Sequence, residues 1–316
     1  MTAPSAPFKV PGMAKNSKTA TGGRRQYAPA GSAVIAVKAP TGLYLVATPI
    51  GNLGDMTLRA LATLAAADLV ACEDTRVTGN LMRHFAIRTR LLAYHDHNAE
   101  RQRPKLLAAL AEGRAIALVS DAGTPLVSDP GYRLVVEASA AGHAVVPVPG
   151  ASAVLAALVA SALPSDAFLF AGFLPPKSAA RGKRLAELAR VPATLVFFES
   201  TQRIAAALAD MATALGGTRP AAVARELTKA FETVRRGTLS ELAGQFGGEP
   251  APKGEIVVVI GPPLAAATSD ADADAVLAAL LADKPVSEAA AEAAAITGLP
   301  RRELYKRALA LKDGGG

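Results

Sequence analysis

The stretch Ile116-Ala-Leu-Val-Ser-Asp-Ala-Gly-Thr-Pro-Leu-Val-Ser-Asp-Pro-Gly131 decides the fold. It continues an apolar run that starts at Ala115 and ends at Val119. A short apolar run bounded by turn residues reads as a buried strand. Ser120, Asp121, Gly123 and Pro125 stop it. An apolar-periodic stretch, Tyr132 to Ala141, then reads as a helix, with Asp129 suited to cap it and Pro130 to its first position. The pattern is strand, long loop, helix. Ligands of open α/β sheets bind outside the carboxyl ends of the strands. A loop rich in Asp, Gly and Thr at that place is either a small-molecule cradle or an ordinary tight turn between strand and helix.

The same rhythm extends to both sides. Leu43 to Ala47 reads as a first strand, followed by the loop Thr48-Pro-Ile-Gly-Asn-Leu-Gly-Asp55. Asp55 is placed to cap a helix over Met56 to Ala67. The loop lacks the G-x-G-x-x-G spacing, so a dinucleotide fold is poorly supported. Asp68 to Cys72 is a second strand, with Glu73-Asp-Thr-Arg76 at its carboxyl end, before a helix to about His84. Those four residues are a helix cap with an ion pair or part of a site. Arg90 to Ala93 is a third strand, and Tyr94-His-Asp-His-Asn98 follows it. His-x-His invites a metal, but no other His or Cys lies near enough in sequence to complete a ligand set. The cluster fits a loop that binds substrate or moves protons. Ala144 to Val148 is a fifth strand, and Pro149-Gly-Ala-Ser-Ala153 breaks into an apolar helix that runs through Ser161. Its small residues at a helix N-terminus admit a ligand close to the backbone. Strands alternating with helices predict an α/β domain on a mainly parallel sheet, over residues 42–162.

After Leu163-Pro-Ser-Asp166 the rhythm changes. Phe168 to Ala171 and Thr194 to Phe198 are strands around a basic helix holding Lys177, Arg181, Lys183 and Arg184. Ala221 to Leu227 and Phe231 to Gly237 lie close enough for a hairpin, and Glu255 to Ile260 is a fully apolar strand. Residues 163–263 therefore read as a second α/β domain with a mixed sheet. Residues 264–316 read as a linker and a helical module. Ser287 is placed to cap one helix, and Gly298-Leu-Pro300 turns into the basic run Arg301-Arg-Glu-Leu-Tyr-Lys-Arg307. That outline is either a helix-turn-helix or a plain helical cap.

Charge separates the tail from the body. The 316 residues carry a formal charge of +7. Lys9, Lys15, Lys18, Arg24, Arg25 and Lys38 stand in the first 40 residues with no acid among them, which leaves +1 for the rest. Residues 1–41, rich in Pro, Gly, Ser and Ala, read as a disordered basic tail, either a solvated arm or one that touches nucleic-acid phosphates. Several prolines break the amphipathic helix that a transit peptide needs. With 51% apolar residues the chain can bury a sizeable core, and its length suggests roughly two domains. No uncharged apolar run reaches the length of a bilayer span, and the start has no secretory apolar segment. The single Cys72 excludes an internal disulfide and fits a reducing compartment.

Six motifs stand in order: Thr48-Pro-Ile-Gly-Asn-Leu53; Glu73-Asp-Thr-Arg76; Ser120-Asp-Ala-Gly-Thr-Pro125 with Ser128-Asp-Pro-Gly131; Pro149-Gly-Ala-Ser-Ala153; Arg225-Glu-Leu-Thr-Lys229; and Lys253-Gly-Glu255. Together they closely resemble the ribosomal RNA small subunit methyltransferase I branch of the tetrapyrrole methylase superfamily, over roughly Leu43 to Pro262, and the helical module looks like that family's too. The basic arm lies outside the family pattern. The resemblance implies a cytoplasmic homodimer that uses S-adenosyl-L-methionine to methylate the ribose 2′-hydroxyl of a cytidine in 16S rRNA of the 30S subunit. It implies a cleft between two α/β domains, no structural metal, and a donor pocket lined by Pro49, Ile50, Asp121, Gly123, Thr124, Ala151 and Ser152, with Gly254 and Glu255 closing it. Asp121 can accept from the donor's ribose or amino groups.

A ribose hydroxyl is a poor nucleophile, so a nearby acceptor should help remove its proton. His95, His97, Asp74 and Glu226 are candidates, and the sequence does not choose among them. Arg76, Arg225 and Lys229 suit phosphates or structural ion pairs, and Asn98, Arg301 and Arg302 join them as candidate RNA contacts. Two other functions share the fold: methylation of a tetrapyrrole ring, and RNA binding without catalysis. The helical module and the Tyr94–Asn98 cluster favour RNA over a tetrapyrrole. Polar residues at every motif position favour an enzyme.

Overall fold

The computed structural model describes residues 25–27, 34–36, 38–264 and 270–313. Most of the basic tail lies outside these residues. Within the tail, β1 (Arg25–Tyr27) and β2 (Val34–Ala36) pair antiparallel, where composition led to no regular structure. The chain divides into two compact units. The first holds the described residues up to Val46, with Thr57–Asp121 and Pro125–Pro149. The second holds Ala47–Met56, Ala122–Thr124 and the chain from Gly150 on. Two loops from the first half of the chain group with the second unit.

The first unit continues as β3 (Gly42–Val46), α1 (Leu58–Ala66), β4 (Leu69–Cys72), α2 (Thr75–His84), β5 (Leu91–Ala93), α3 (Ala99–Ala111), β6 (Ala115–Val119), α4 (Tyr132–Ala140) and β7 (Val145–Val148). Its sheet has the order β5-β4-β6-β3-β7, and every pair is parallel. β6 takes the centre because all five of its residues are apolar and buried, as a strand covered on both faces requires. Pro147 sits in β7, an edge strand, where a missing backbone donor is tolerated. Leu106 and Leu110 of α3 and Leu134 and Ala138 of α4 pack against Leu43, Ala71, Ile116 and Leu118 of the sheet.

The second unit contains α5 (Ala153–Ala160), β8 (Phe168–Phe173), α6 (Ser178–Leu188), β9 (Thr194–Ser200), α7 (Ile204–Leu215), β10 (Pro220–Arg225), β11 (Thr233–Thr238), α8 (Leu239–Gly248) and β12 (Glu255–Ile260). Its order is β11-β10-β12-β9-β8. β8 and β9 are parallel and the remaining pairs antiparallel, so the mixed sheet and the β10–β11 hairpin stand as expected. Leu185, Leu208, Leu242 and Phe246 of its helices pack on Phe197, Val223 and Val258. Three helices follow, α9 (Asp270–Leu281), α10 (Val286–Thr297) and α11 (Arg301–Asp313). Ala273, Leu277, Ala290, Ala293, Leu304 and Ala308 form their own small core.

Three helix starts differ from the sequence reading. Thr57, not Asp55, caps α1, its side chain accepting from Ala60 N; Asp55 belongs to a short tight helix, Leu53–Asp55, capped by Asn52. Gly131, not Asp129, precedes α4, with φ +127, and a Cβ there would lie 2.7 Å from Leu118 and 2.8 Å from Leu126. The chain enters that helix through a backbone that only glycine fits, so Asp129 and Pro130 remain in the loop. Pro285 precedes α10, and Ser287 accepts instead from the Arg301 guanidinium at 3.2 Å.

Candidate active site

In the second unit, chain segments far apart in sequence meet. Thr48 and Gly123 exchange backbone hydrogen bonds of 2.8 and 3.0 Å. Gly123 has φ +79, and a Cβ there would stand 3.3 Å from Ile50 Cγ2. Thr124 Oγ1 donates to the Ala151 carbonyl at 3.3 Å, and Ser152 caps α5, accepting from Leu155 N. A Cβ on Gly150 would come within 3.0 Å of the Ala47 Cβ. Thr48, Pro49 and Ile50 are buried. Backbone pairing and the absence of side chains thus bring Pro49, Ile50, Gly123, Thr124, Ala151 and Ser152 together, while Asp121 belongs to the first unit.

The other half of this cluster is charged. Glu226 Oε1 accepts from Lys229 Nζ at 2.7 Å and from Glu255 N at 3.1 Å, and Lys229 Nζ reaches Glu255 Oε2 at 3.1 Å. The Lys229 hydrogen bond holds the Glu226 carboxyl below its ordinary value. Burial works against the Lys229 charge, but its bonds to Glu226 and Glu255 outweigh that and raise its pKa. Gly254 has φ +105, and a Cβ there would overlap the Glu226 side chain. Arg225 is spent on its own hairpin and on the turn before β12. It donates from Nε to Thr233 Oγ1, and from its terminal nitrogens to the Lys253 and Phe231 carbonyls, at 3.3, 2.9 and 3.1 Å.

In the first unit, acids gather at the carboxyl ends of β4, β5 and β6. Asp121 Oδ1 accepts from Asp74 N at 3.0 Å. Asp74 caps α2 through Arg76 N at 2.7 Å and pairs with the Arg76 guanidinium at 2.6 Å. The Arg76 side chain holds the Asp74 carboxyl down to about 2. Arg76 itself is 89% exposed. Asn98 is occupied within its loop: Oδ1 accepts from His95 N at 3.0 Å, and Nδ2 donates to the Ala93 carbonyl at 3.1 Å. The same Nδ2 lies 3.1 Å from His95 Nε2. His95 Nδ1 is buried without a partner. His97 is exposed, its ring centroid 5.9 Å from that of His95. Arg301 and Arg302 stand exposed at the start of α11.

Glu73, one of the four polar residues at the end of β4, is set apart by its surroundings. Burial raises its pKa first, and the charges of Asp121, Asp129 and Asp96 raise it further, with His95 partly offsetting them. Among the described residues its carboxyl accepts no hydrogen bond. Its position directly after a buried strand is the signal that the sequence carries. Among the described residues no group of three His, Cys, Asp or Glu could hold a metal, and no helix is long and apolar enough to cross a membrane.

Residues 42–243 match the model of the tetrapyrrole (corrin/porphyrin) methylases, and residues 267–312 match that of the RsmI C-terminal HTH domain. The ribosomal RNA small subunit methyltransferase I of Mesorhizobium japonicum is 61% identical over 274 residues, covering 87% of this chain and 93% of that one. Its namesake in Escherichia coli O157:H7 is 49% identical over 269 residues, covering 84% and 94%. Among solved structures, the methyltransferase CobJ superposes with a TM-score of 0.54 at 22% identity, covering 72% of this chain and 95% of that one. Cobalt precorrin-4 methyltransferase gives 0.53 at 20%, covering 69% and 94%. Those two likenesses show the fold. The chain belongs to the tetrapyrrole methylases and, within them, to the ribosomal RNA small subunit methyltransferase I family.

Proposed function

We propose that this chain transfers a methyl group from S-adenosyl-L-methionine to the 2′-hydroxyl of a cytidine ribose in 16S rRNA of the 30S subunit. One observation carries the donor site: Pro49, Ile50, Gly123, Thr124, Ala151 and Ser152 converge on a cluster whose backbone is bared by glycine and alanine. The small residues fit a ligand recognised largely by main-chain groups, as an adenosyl moiety is. When bound, the donor supplies an electrophilic methyl on a sulfonium. The chain's own residues bind, orient and take up the proton. Asp121 offers a carboxylate to the donor's hydroxyl or amino groups. Gly254 and Glu255, tied to Glu226, complete the cluster.

The hydroxyl proton needs an acceptor whose pKa is not depressed. Asp74, held down by Arg76, and Glu226, held down by Lys229, are poor ones. Glu73, which follows β4 and whose carboxyl accepts no hydrogen bond among the described residues, joins His95 and His97 as a candidate acceptor. Arg302, with its neighbours on α11, supplies cations for rRNA phosphates, and Arg76 is exposed enough to add one. The same reading makes the enzyme a cytoplasmic homodimer.

The test incubates full-length protein with methyl-labelled S-adenosyl-L-methionine and 30S subunits and maps the label. One labelled cytidine whose 3′-phosphodiester resists alkali is expected, because a methylated 2′-oxygen cannot attack it. Label on a base, or none, overturns the reading. Asp121→Ala should weaken donor binding while the fold persists, since a lost hydrogen bond to a buried polar ligand costs about 1–3 kcal/mol.

A further inference from the structure

We propose that Lys229 is a positioning residue of the donor site, a brace that holds the Thr48–Leu53 loop to the Lys253–Glu255 turn, and not a ligand of RNA phosphate. The proposal rests on the donor reading above.

The stem of Lys229 lies along the backbone of Gly51. Gly51 has φ +144, and a Cβ there would overlap Lys229 Cγ and come within 2.8 Å of Cε and 3.0 Å of Cδ. The four-carbon chain therefore fills the space that a side chain at position 51 would take. Long cationic side chains commonly pack this way, stem on surface and head on a charge. Here the head is fixed as well. Nζ sits between Glu226 Oε1 at 2.7 Å and Glu255 Oε2 at 3.1 Å, and only 27% of the side chain is exposed. A phosphate approaching the ammonium would meet those two carboxylates first.

The loop that presents Lys229 is held in a costly shape. Glu226 and Thr228 have φ of +53 and +67, which non-glycine residues seldom adopt. Thr228 N donates to Glu232 Oε2 at 2.6 Å, and Lys229 N to the Glu226 carbonyl at 3.0 Å. Such strain persists where the surroundings enforce it, often at functional sites. The gripped loop carries Pro49 and Ile50. It is pinned at Thr48 and Ile50 by Gly123, and at Gly51 by Lys229. Lys229 also ties Glu255, next to Gly254, to that loop. Removing it frees two donor segments at once.

Three variants separate the stem from the charge. Lys229→Met keeps the stem and deletes the ammonium, Lys229→Ala deletes both, and Lys229→Arg keeps the charge. Titration calorimetry with S-adenosyl-L-methionine reads donor affinity, and binding to 30S subunits across a salt series, without donor, reads RNA contact. Lys229→Ala should weaken donor binding about ten- to a hundredfold, Lys229→Met less, and Lys229→Arg by no more than a few-fold. The salt slope for 30S binding should not move in any of them. Unchanged donor affinity in both Met and Ala variants overturns the proposal. So does a salt slope reduced by about 0.7–0.9, the mark of one lost phosphate contact. If thermal melting shows that the Ala variant does not fold, the Met variant decides alone. Failure of the parent protein to bind S-adenosyl-L-methionine would refute the donor reading itself, which is a different result.

Discussion

Glu73 and Asp74 are neighbours in sequence with opposite electrostatics, and each makes a prediction of its own sign. The Glu73 pKa is raised by burial and by nearby acids, so the folded protein binds its proton more tightly than the unfolded chain does. Stability then falls as pH rises from the ordinary glutamate value, about 4.3, through the raised one. Glu73→Gln removes that penalty. The variant should melt higher than the parent at neutral pH and match it at pH values below the ordinary glutamate range. If Glu73 accepts the hydroxyl proton, the same variant should lose about 10²–10⁴-fold in turnover. Its residual rate should no longer rise with pH along the acid limb. Melting curves and pH–rate profiles check both halves, and a variant as active as its parent would remove Glu73 from the mechanism. Asp74 behaves in reverse. Its pKa is lowered to about 2, so its contribution is present above the ordinary aspartate value and is lost as pH falls towards 2. Asp74→Asn should erase that part of the acid sensitivity.

Between elements, the buried cation Arg219 does the tying. It is 1% exposed, precedes β10, and donates from Nε to the Gly261 carbonyl at 2.6 Å and from a terminal nitrogen to the Ala189 carbonyl at 3.3 Å. It joins the end of β12 to the end of α6, and burial alone lowers its pKa. Arg219→Ala leaves two carbonyls without their donor and opens a void, so urea denaturation should show a loss of about 2–4 kcal/mol. A loss under about 0.5 kcal/mol would mean that the two ends hold without it. Arg219 was not legible in the sequence, and the reason separates what could be read from what could not. Strands such as Ala115–Val119 announce themselves by local apolar runs, and motif loops such as Thr48–Leu53 by local composition. The partners of Arg219 lie 42 and 30 residues away. Likewise, Lys229 meets a glycine on a distant loop, which no local pattern encodes. Helix caps failed for a subtler reason. Asp55, Asp129 and Ser287 are sound capping residues, but the path of the preceding loop chose Thr57, Gly131 and Pro285.

At the scale of the molecule, function divides along the chain. All six motifs lie upstream of Pro263, while α9, α10 and α11 carry a core of their own. That module holds six cations and eight acids in residues 270–313, yet five of the cations fall on α11. Arg307 is committed to Asp274 and Arg301 to Ser287, whereas Arg302 and Lys306, one turn apart, are exposed with Tyr305 between them. Exposed cations one helical turn apart suit consecutive backbone phosphates, and an aromatic ring among them suits an unstacked base. Phosphate contacts add affinity without choosing sequence. A chain ending at Pro263 should therefore bind S-adenosyl-L-methionine as the full chain does, yet show a higher KM for 30S subunits. Replacing Arg302 and Lys306 together by alanine should reproduce part of that defect and lower the salt slope of 30S binding by somewhat under two units. It should leave the methylated nucleotide unchanged. Equal turnover of the shortened and full-length chains at limiting 30S would mean that the module does not engage the ribosomal substrate. A double variant with the parent's slope would move the RNA contact elsewhere on the module.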